Sequence, residues 1–415
     1  MQAIAAVFTL LLGVAVILAG NGLLGTLLGV RGEIEGFSAT MLGMIMSVYF
    51  AGFLVGTFRV PRLIRRIGHV RVFAALASLA SVAILVHGLY VHPLLWLGLR
   101  FLTGLCIVGL YIVIESWLNQ RTPNEQRGSV FSAYMTTTLI GLGAGQLILV
   151  TGDVLRLELF AVASVLLSLG LVPVAMTPVR EPEIPEAHRL GLRKLIEISP
   201  LGVFGCVFSG LASGSFWGLG PVFASAIGLD KVGVAGFMAA TIAGGIVMLW
   251  PVGRMSDRFE RRKVLSWACI LASMGALVSA LVVESGAIWI MAGGFVYGTF
   301  AFSIYSLSAA HTNDHVDASH VLEVTSSLQL LWAAGAIAGP LVAGVLMQRI
   351  GPEALMLFIA VASLAPAGFA AWRMRVSRPI PVSDQADFVG QFATSPVALE
   401  LQAESDGEPD SGEPR

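Results

Sequence analysis

Gly253-Arg254-Met255-Ser256-Asp257-Arg258-Phe259-Glu260-Arg261-Arg262-Lys263 forms a tight, cation-rich loop with Asp257 near its middle, set between two strongly apolar stretches. A related loop lies 192 residues earlier, Pro61-Arg62-Leu63-Ile64-Arg65-Arg66-Ile67-Gly68-His69-Val70-Arg71, placing Arg66 opposite Arg258, Val72 opposite Val264 and Gly52 opposite Gly244. Further on the offset is 194. There Arg100-Phe101-Leu102-Thr103-Gly104 stands opposite Gly294-Phe295-Val296-Tyr297-Gly298, Tyr111 opposite Tyr305, and Gly141 to Gly145 opposite Gly335 to Gly339. Apolar chains share Gly and Leu by chance, but loops and helices that match in the same order mark a duplication.

Composition sets the solvent. With 56% hydrophobic and 12% charged residues in 415 and a mean hydropathy of +0.82, the chain lacks the polar surface a water-soluble protein of this size needs. Runs of about 20 apolar residues, enough to cross a hydrocarbon core, recur along it. Twelve are read near 4–29, 38–58, 72–91, 94–118, 129–151, 157–177, 199–226, 233–252, 264–283, 287–309, 321–348 and 353–372. Backbone groups in lipid must bond within their own segment, so each run is expected to be helical rather than a barrel strand. The fold expected is an all-α membrane protein of twelve transmembrane helices in two pseudo-symmetric six-helix bundles.

Cationic loops stay on the cytoplasmic side. With the amino terminus inside, 20 of the 25 Lys and Arg residues fall in cytoplasmic segments, four (Arg31, Arg156, Lys231, Arg349) fall outside, and Arg100 lies within a helix. The expected location is therefore a bacterial inner membrane, with both termini cytoplasmic. The first 30 residues lack the basic start of a secretory signal and are read as the first helix. Residues 1–177 form the first bundle, 178–198 a cytoplasmic linker rich in Pro, Glu and Arg, and 199–375 the second bundle. Residues 376–415, polar and acidic, form a tail expected to be disordered.

Cys106, Cys206 and Cys269 all fall inside apolar segments, where a small packing residue is the expected role. No zinc or redox spacing occurs, and neither a metal nor a cofactor is expected. The run His311, Asp314, His315, Asp317, His320 has a metal-like composition. It is placed in the loop between the tenth and eleventh segments, where polar residues are expected and ligand geometry is not fixed.

Gly253 to Lys263 matches G-x-x-x-D-R-x-x-R-R-[RK], and Arg100-x-x-x-Gly104 matches an Arg-containing motif of a fourth helix. On these residues the chain resembles the major facilitator superfamily over residues 1 to about 375. Asn21-Gly22-Leu23 in the first segment, and Ile114-Glu115-Ser116-Trp117-Leu118-Asn119 running into Arg127-Gly128, resemble its YcaD-like subgroup of transporters. The chain departs from the superfamily at Arg65, which takes the first loop's Asp position, and at Pro61, which takes its Gly. Gln146 follows Gly145 where antiporters of the family have Gly-Pro, and Gly339-Pro340 occupies the paired position in the eleventh segment.

Ionisable residues within helices are scarce, and each costs a few kcal/mol unless paired or hydrated. Arg100 and Glu115 lie fifteen residues apart on the fourth segment, about 22 Å along a helix and too far to pair. Their directions differ by about 60°, so with Tyr111 they share one face. Arg100 is read either as a cavity cation that binds an anionic group or controls a neighbouring acid, or as a snorkelling cation. Glu115 is read as a gating ion-pair partner or as a protonation site. Asn21, Tyr111, Gln146, Ser213, Trp217, Tyr305, Gln329 and Trp332 are the further candidates for the cavity lining, each with interhelical bonding or packing as the plainer alternative. Asp257 and Arg258 belong to the expected cytoplasmic gate. Asp257 would meet the positive end of the fifth segment near Gly128 and Ser129, while Arg65 or Arg66 would meet Glu323 in the first turn of the eleventh.

Such a scaffold can rock about a central cavity and expose it to one side at a time. The expected function is secondary active transport of a small solute, with export favoured over uptake and proton coupling implied by the resemblance. The expected partners are the solute, protons and the lipid bilayer, with no nucleic acid, and the chain is expected to act as a monomer. An enzyme is not expected: no Asp falls inside an expected span, and no mid-depth His could activate a Ser. A transport-dead sensor or lipid-handling scaffold on the same fold is the alternative.

Overall fold

In the computed structural model the described residues are 2–123, 126–176, 190–317, 320–376, 380–382, 385 and 388. Most of the linker, 178–189, and nearly all of the tail lie outside them. The long helices are α1 (Gln2–Ile34), α2 (Ala39–Ile67), α3 (His69–Leu89), α4 (Pro93–Arg121), α5 (Arg127–Leu149) and α6 (Glu158–Met176). After the short α7 (Leu192–Ile198) come α8 (Pro200–Ala226), α9 (Lys231–Arg258), α10 (Arg261–Leu281), α11 (Ala287–Asn313), α12 (Val321–Ile350) and α13 (Ala354–Val376). Ten of these satisfy the length and hydropathy of a membrane span, among the described residues. The twelve expected crossings are therefore not all marked by hydropathy: α5 carries Thr136, Thr137, Thr138 and Gln146, and the apolar part of α6 is the shorter Glu158–Pro173.

Local chemistry sets the helix starts. Ser38 accepts from the Met41 N–H (3.2 Å) at the head of α2, Ser199 from Gly202 (3.1 Å) at α8, and Asp230 from Gly233 (2.8 Å) at α9. Each satisfies an amide that the helix itself cannot. The ends depart from expectation. Gly253 to Lys263 is not an extended loop: α9 continues through Arg258, and only Phe259 and Glu260 separate it from α10. Likewise α2 runs through Pro61 to Ile67, and the chain turns at Gly68 with φ +89°. A drop in hydropathy marks where a helix leaves lipid, and Arg is a good helix former beyond that point.

The duplication recurs in the packing. In the first half α1 packs on α5 and α6, α2 on α4, and α3 on α4 and α6; in the second, α8 packs on α12 and α13, α9 on α11, and α10 on α11 and α13. The glycines show why the pairs are so close. A Cβ on Gly52 would strike the Phe101 carbonyl, and one on Gly104 the Tyr49 carbonyl; 192 to 194 residues on, Gly244 meets Phe295 and Gly298 meets Thr241 in the same way. Helices that gain nothing from hiding in lipid depend on such close van der Waals approach. Gly104→Leu should therefore force α4 from α2 and cost about 1–3 kcal/mol or more, read as a lower melting temperature in detergent. An unchanged melting temperature would show that the contact is slack.

The outer faces carry exposed apolar side chains such as Leu79, Val82, Leu147, Met274 and Val361, the surface that lipid covers. Between the halves, contact is concentrated at the end opposite the basic turns. There the Ala39 N–H donates to Gln348 Oε1 (3.0 Å), Ser47 to the Ile337 carbonyl (2.6 Å), Ser225 to Glu33 (2.7 Å) and Lys231 to the Gly152 carbonyl (3.0 Å).

Candidate functional site

A cavity with about 130 Å3 of water-accessible space lies between the halves, beneath this closed end. Six expected residues line it: Asn21 from α1, Arg100 and Tyr111 from α4, Gln146 from α5, Trp217 from α8 and Trp332 from α12. Tyr49, Phe50 and Phe53 of α2, Thr26 of α1 and Met238 of α9 line it as well, and sequence reasoning missed them. The aromatic cluster at positions 49, 50 and 53 was a usable signal.

Three expected residues stand elsewhere. Tyr305 is buried behind Trp332, edge to face at 6.3 Å, in a separate core cluster with Cys206 and Leu328. Ser213 and Gln329 are buried in α8 and α12 outside the lining.

Arg100 is 5% exposed, its guanidinium 4.2 Å from the centre of the Tyr49 ring and its Nη2 3.5 Å from Met46 Sδ. Its Nε is buried with no hydrogen-bond partner. Among the described residues no carboxylate forms an ion pair with it. The side chain does not snorkel. Gln146 is instead fully engaged: it accepts from the Thr26 hydroxyl (2.7 Å) and donates to the Gly22 and Leu142 carbonyls (3.3 and 3.2 Å), tying α5 to α1. Trp217 is held flat against Phe302, 5.6 Å between centres and 8° between planes.

Glu115 lies one turn beyond Tyr111, completely buried, and accepts from the Tyr134 hydroxyl of α5 (2.6 Å). It ties α4 to α5 within the first half. Arg65 and Arg66 are exposed at the end of α2, and among the described residues no ion pair joins either to Glu323. Asp257, expected at the start of α5, faces two other groups, with Arg261 Nη2 at 3.9 Å. Its Oδ1 accepts from the Phe388 N–H (2.8 Å), and the Phe388 ring covers Gly253.

The chemistry placed in the basic turn includes a partnership that the sequence did not show. Arg261 and Asp314 form an ion pair with both side chains 1% exposed, and Arg261 also donates to Ser256 (2.9 Å) and the Ala310 carbonyl (3.1 Å). Asp314, read as a solvated loop residue, is thus a buried anchor. The reason is that α11 extends to Asn313 and carries it against α10.

Glu260 beside them receives Arg262 (2.6 Å) and Lys263 (3.1 Å). Burial pushes its carboxyl up, but these two cations outweigh that and hold it below its usual range. A lowered native pKa stabilises the fold above the unfolded value, and this stabilisation is lost as pH falls through the native one. Glu260→Gln should therefore lower the melting temperature at neutral pH, and the gap from the parent should close below about pH 4. A gap independent of pH would show that its charge is irrelevant.

Two pseudo-symmetric helical bundles around a buried cavity define a carrier-type membrane protein. The comparisons give the family: the sequence profile of the Major Facilitator Superfamily matches residues 10–250 and again 202–399, and the chain belongs to that superfamily. It is 28% identical over 366 residues to the MFS-type transporter YcaD of Salmonella typhi and of Salmonella newport (strain SL254), covering 86% of this chain and 93% of each relative. The fold matches the crystal structure of a mutant of the nucleoside transporter NupG with a TM-score of 0.76 at 12% identity, over 88% of this chain and 99% of that one. It also matches an inward-facing, unoccupied bacterial homolog of the human lysosomal transporter Spinster with a TM-score of 0.66 at 13% identity, over 96% and 97%. The chain is a multi-pass membrane transporter rather than an enzyme.

Proposed function

We propose that this protein is a secondary active transporter that moves a small solute by alternating access, with the cavity beside Arg100 as its binding site. The observation that carries the reading is the one-sided closure. The halves are bonded together beyond the cavity, at the end opposite the basic turns, while Asp257 at the basic end accepts from the Phe388 N–H. With the basic turns cytoplasmic, this is an inward-open carrier. A carrier open on this side loads from the cytoplasm, and export is the direction we place first.

The test is a lock. Cysteines at Ala39 and Gln348, joined by a bifunctional maleimide, should hold the outer end shut and abolish exchange in proteoliposomes, while a cysteine at Trp332 stays reactive to an impermeant reagent from the cytoplasmic side. The native cysteines are buried and add little background. Exchange that continues through the cross-linked protein would refute alternating access. A sensor on the same fold would bind solute without exchanging it.

Closing the inner end would bring Arg65 or Arg66 to Glu323 and release Asp257 from Phe388 towards the start of α5, with Arg258 beside it. Arg65→Glu and Glu323→Arg should each impair exchange, and the double reversal should recover beyond additivity. The same cycle run from Arg66 covers the neighbouring cation; recovery in neither double variant would remove the latch. Glu115, tied inside the first half, fits a proton site better than a gate. Glu115→Gln should then leave counterflow intact and abolish accumulation driven by a pH gradient.

A further inference from the structure

The cavity's ionisable groups define its ligand. Among its lining residues Arg100 is the only one charged at neutral pH; the rest are neutral polar or apolar. A guanidinium has five N–H donors and no acceptor. The Tyr49 ring covers its face and Met46 Sδ, a weak acceptor, takes one edge, while Nε has nothing. A buried cation without a carboxylate is costly. The arrangement therefore holds a cation on the cavity wall with no anionic partner among the described residues, and a guanidinium is matched to a planar oxyanion that can accept two parallel hydrogen bonds.

The rest of the lining fixes the remainder of the ligand. No acid faces Arg100 across the cavity, so a cationic solute would meet repulsion and no partner. One fixed cation compensates one anionic charge, and a second would be buried unpaired. The opposing walls are aromatic: Trp217 lies flat against Phe302, Trp332 meets Phe50 edge to face at 6.1 Å, and Phe53 meets Tyr111 at 6.4 Å. Such walls favour a flat, apolar body. We propose that the solute is an aromatic organic monoanion, its carboxylate on Arg100 and its ring between Phe50, Trp217 and Trp332. This rests on the cavity being the transport site.

The test uses purified full-length protein and three isosteric probes, 2-naphthoate, 2-naphthamide and 2-naphthylmethylammonium, with naphthalene-2,6-dicarboxylate as a fourth. Only naphthoate should raise the melting temperature in a saturable way, because only it binds the folded state. Arg100→Gln should weaken naphthoate at least about tenfold, the loss of roughly one charge-assisted hydrogen bond. Trp332→Ala, which leaves the cation in place, should weaken it as well. The wild-type ranking needs no variant, so a poorly folded Arg100→Gln leaves the test standing. The proposal fails if the amide or ammonium binds as well as naphthoate, if the dianion binds better, if naphthoate does not bind, or if a folded Arg100→Gln binds it normally. Counterflow separates this from the transport reading. Arg100-dependent binding without exchange would keep the ligand class and remove transport, whereas exchange of the neutral probe would keep transport and remove the ligand class.

Discussion

Arg100→Met is expected to melt higher than the parent protein and to transport almost nothing. Insertion of an Arg into a membrane helix costs up to about 2.5–3.5 kcal/mol at the helix centre. Its packing over Tyr49 returns about 2 kcal/mol. With no carboxylate beside it among the described residues, the balance leaves the cation a net burden of about 1 kcal/mol on the folded protein. A residue retained against stability belongs to function. Its removal deprives a bound anion of two charge-assisted hydrogen bonds of about 1.5–3 kcal/mol each, so exchange should fall by at least a factor of about a hundred. Arg100→Lys keeps the charge but not the planar fork, nor the stack on Tyr49, and should fold while losing most transport. Thermal unfolding in detergent and counterflow in proteoliposomes give the two readouts. A lower melting temperature in Arg100→Met would make the residue structural, and full exchange in Arg100→Lys would reduce it to a generic charge.

The sequence carried the repeat further than the cavity. Gly52 with Gly244 and Gly104 with Gly298 were aligned from spacing alone, and these glycines let α2 approach α4 and α9 approach α11 against matching carbonyls. Close packing repeats because both halves solve the same problem in lipid. The cavity does not repeat. Arg100 stands opposite Gly294, which packs on Phe237 and Thr241, and Tyr111 opposite Tyr305, which lies behind Trp332. Symmetry with Tyr111 therefore pointed to Tyr305, which does not join the lining, and the α2 aromatics Tyr49, Phe50 and Phe53 line it with no counterpart in the expected set. The gate was legible as charges but not as contacts: among the described residues no ion pair joins Glu323 to Arg65 or Arg66, and Asp257 accepts from the Phe388 N–H. Depth was the other hidden quantity, since hydropathy gave no sign that α11 would bury Asp314.

That buried aspartate carries the largest expected effect on stability. Asp314→Ala removes the carboxylate facing Arg261, a guanidinium 1% exposed that keeps Ser256 and the Ala310 carbonyl as neutral partners and the half-exposed Asp257 at 3.9 Å. Breaking a buried pair from one side leaves a poorly compensated charge and costs about 3–5 kcal/mol, whereas replacing both members with apolar residues is often close to neutral. Arg261→Met with Asp314→Leu should therefore recover most of what Asp314→Ala loses. The pair fixes the α9–α10 turn to the end of α11. The first half is built differently at this point. His69 occupies the position of Arg261 and packs against Trp117, whose ring also meets Phe73 at 5.8 Å, so an aromatic cluster stands where the second half has an ion pair. His69→Ala should accordingly cost packing energy, and its effect should be the smaller of the two. Thermal unfolding of these variants decides: a double variant less stable than Asp314→Ala, or an Asp314→Ala loss below that of His69→Ala, would show that the ion pair is not what holds the second half's turn.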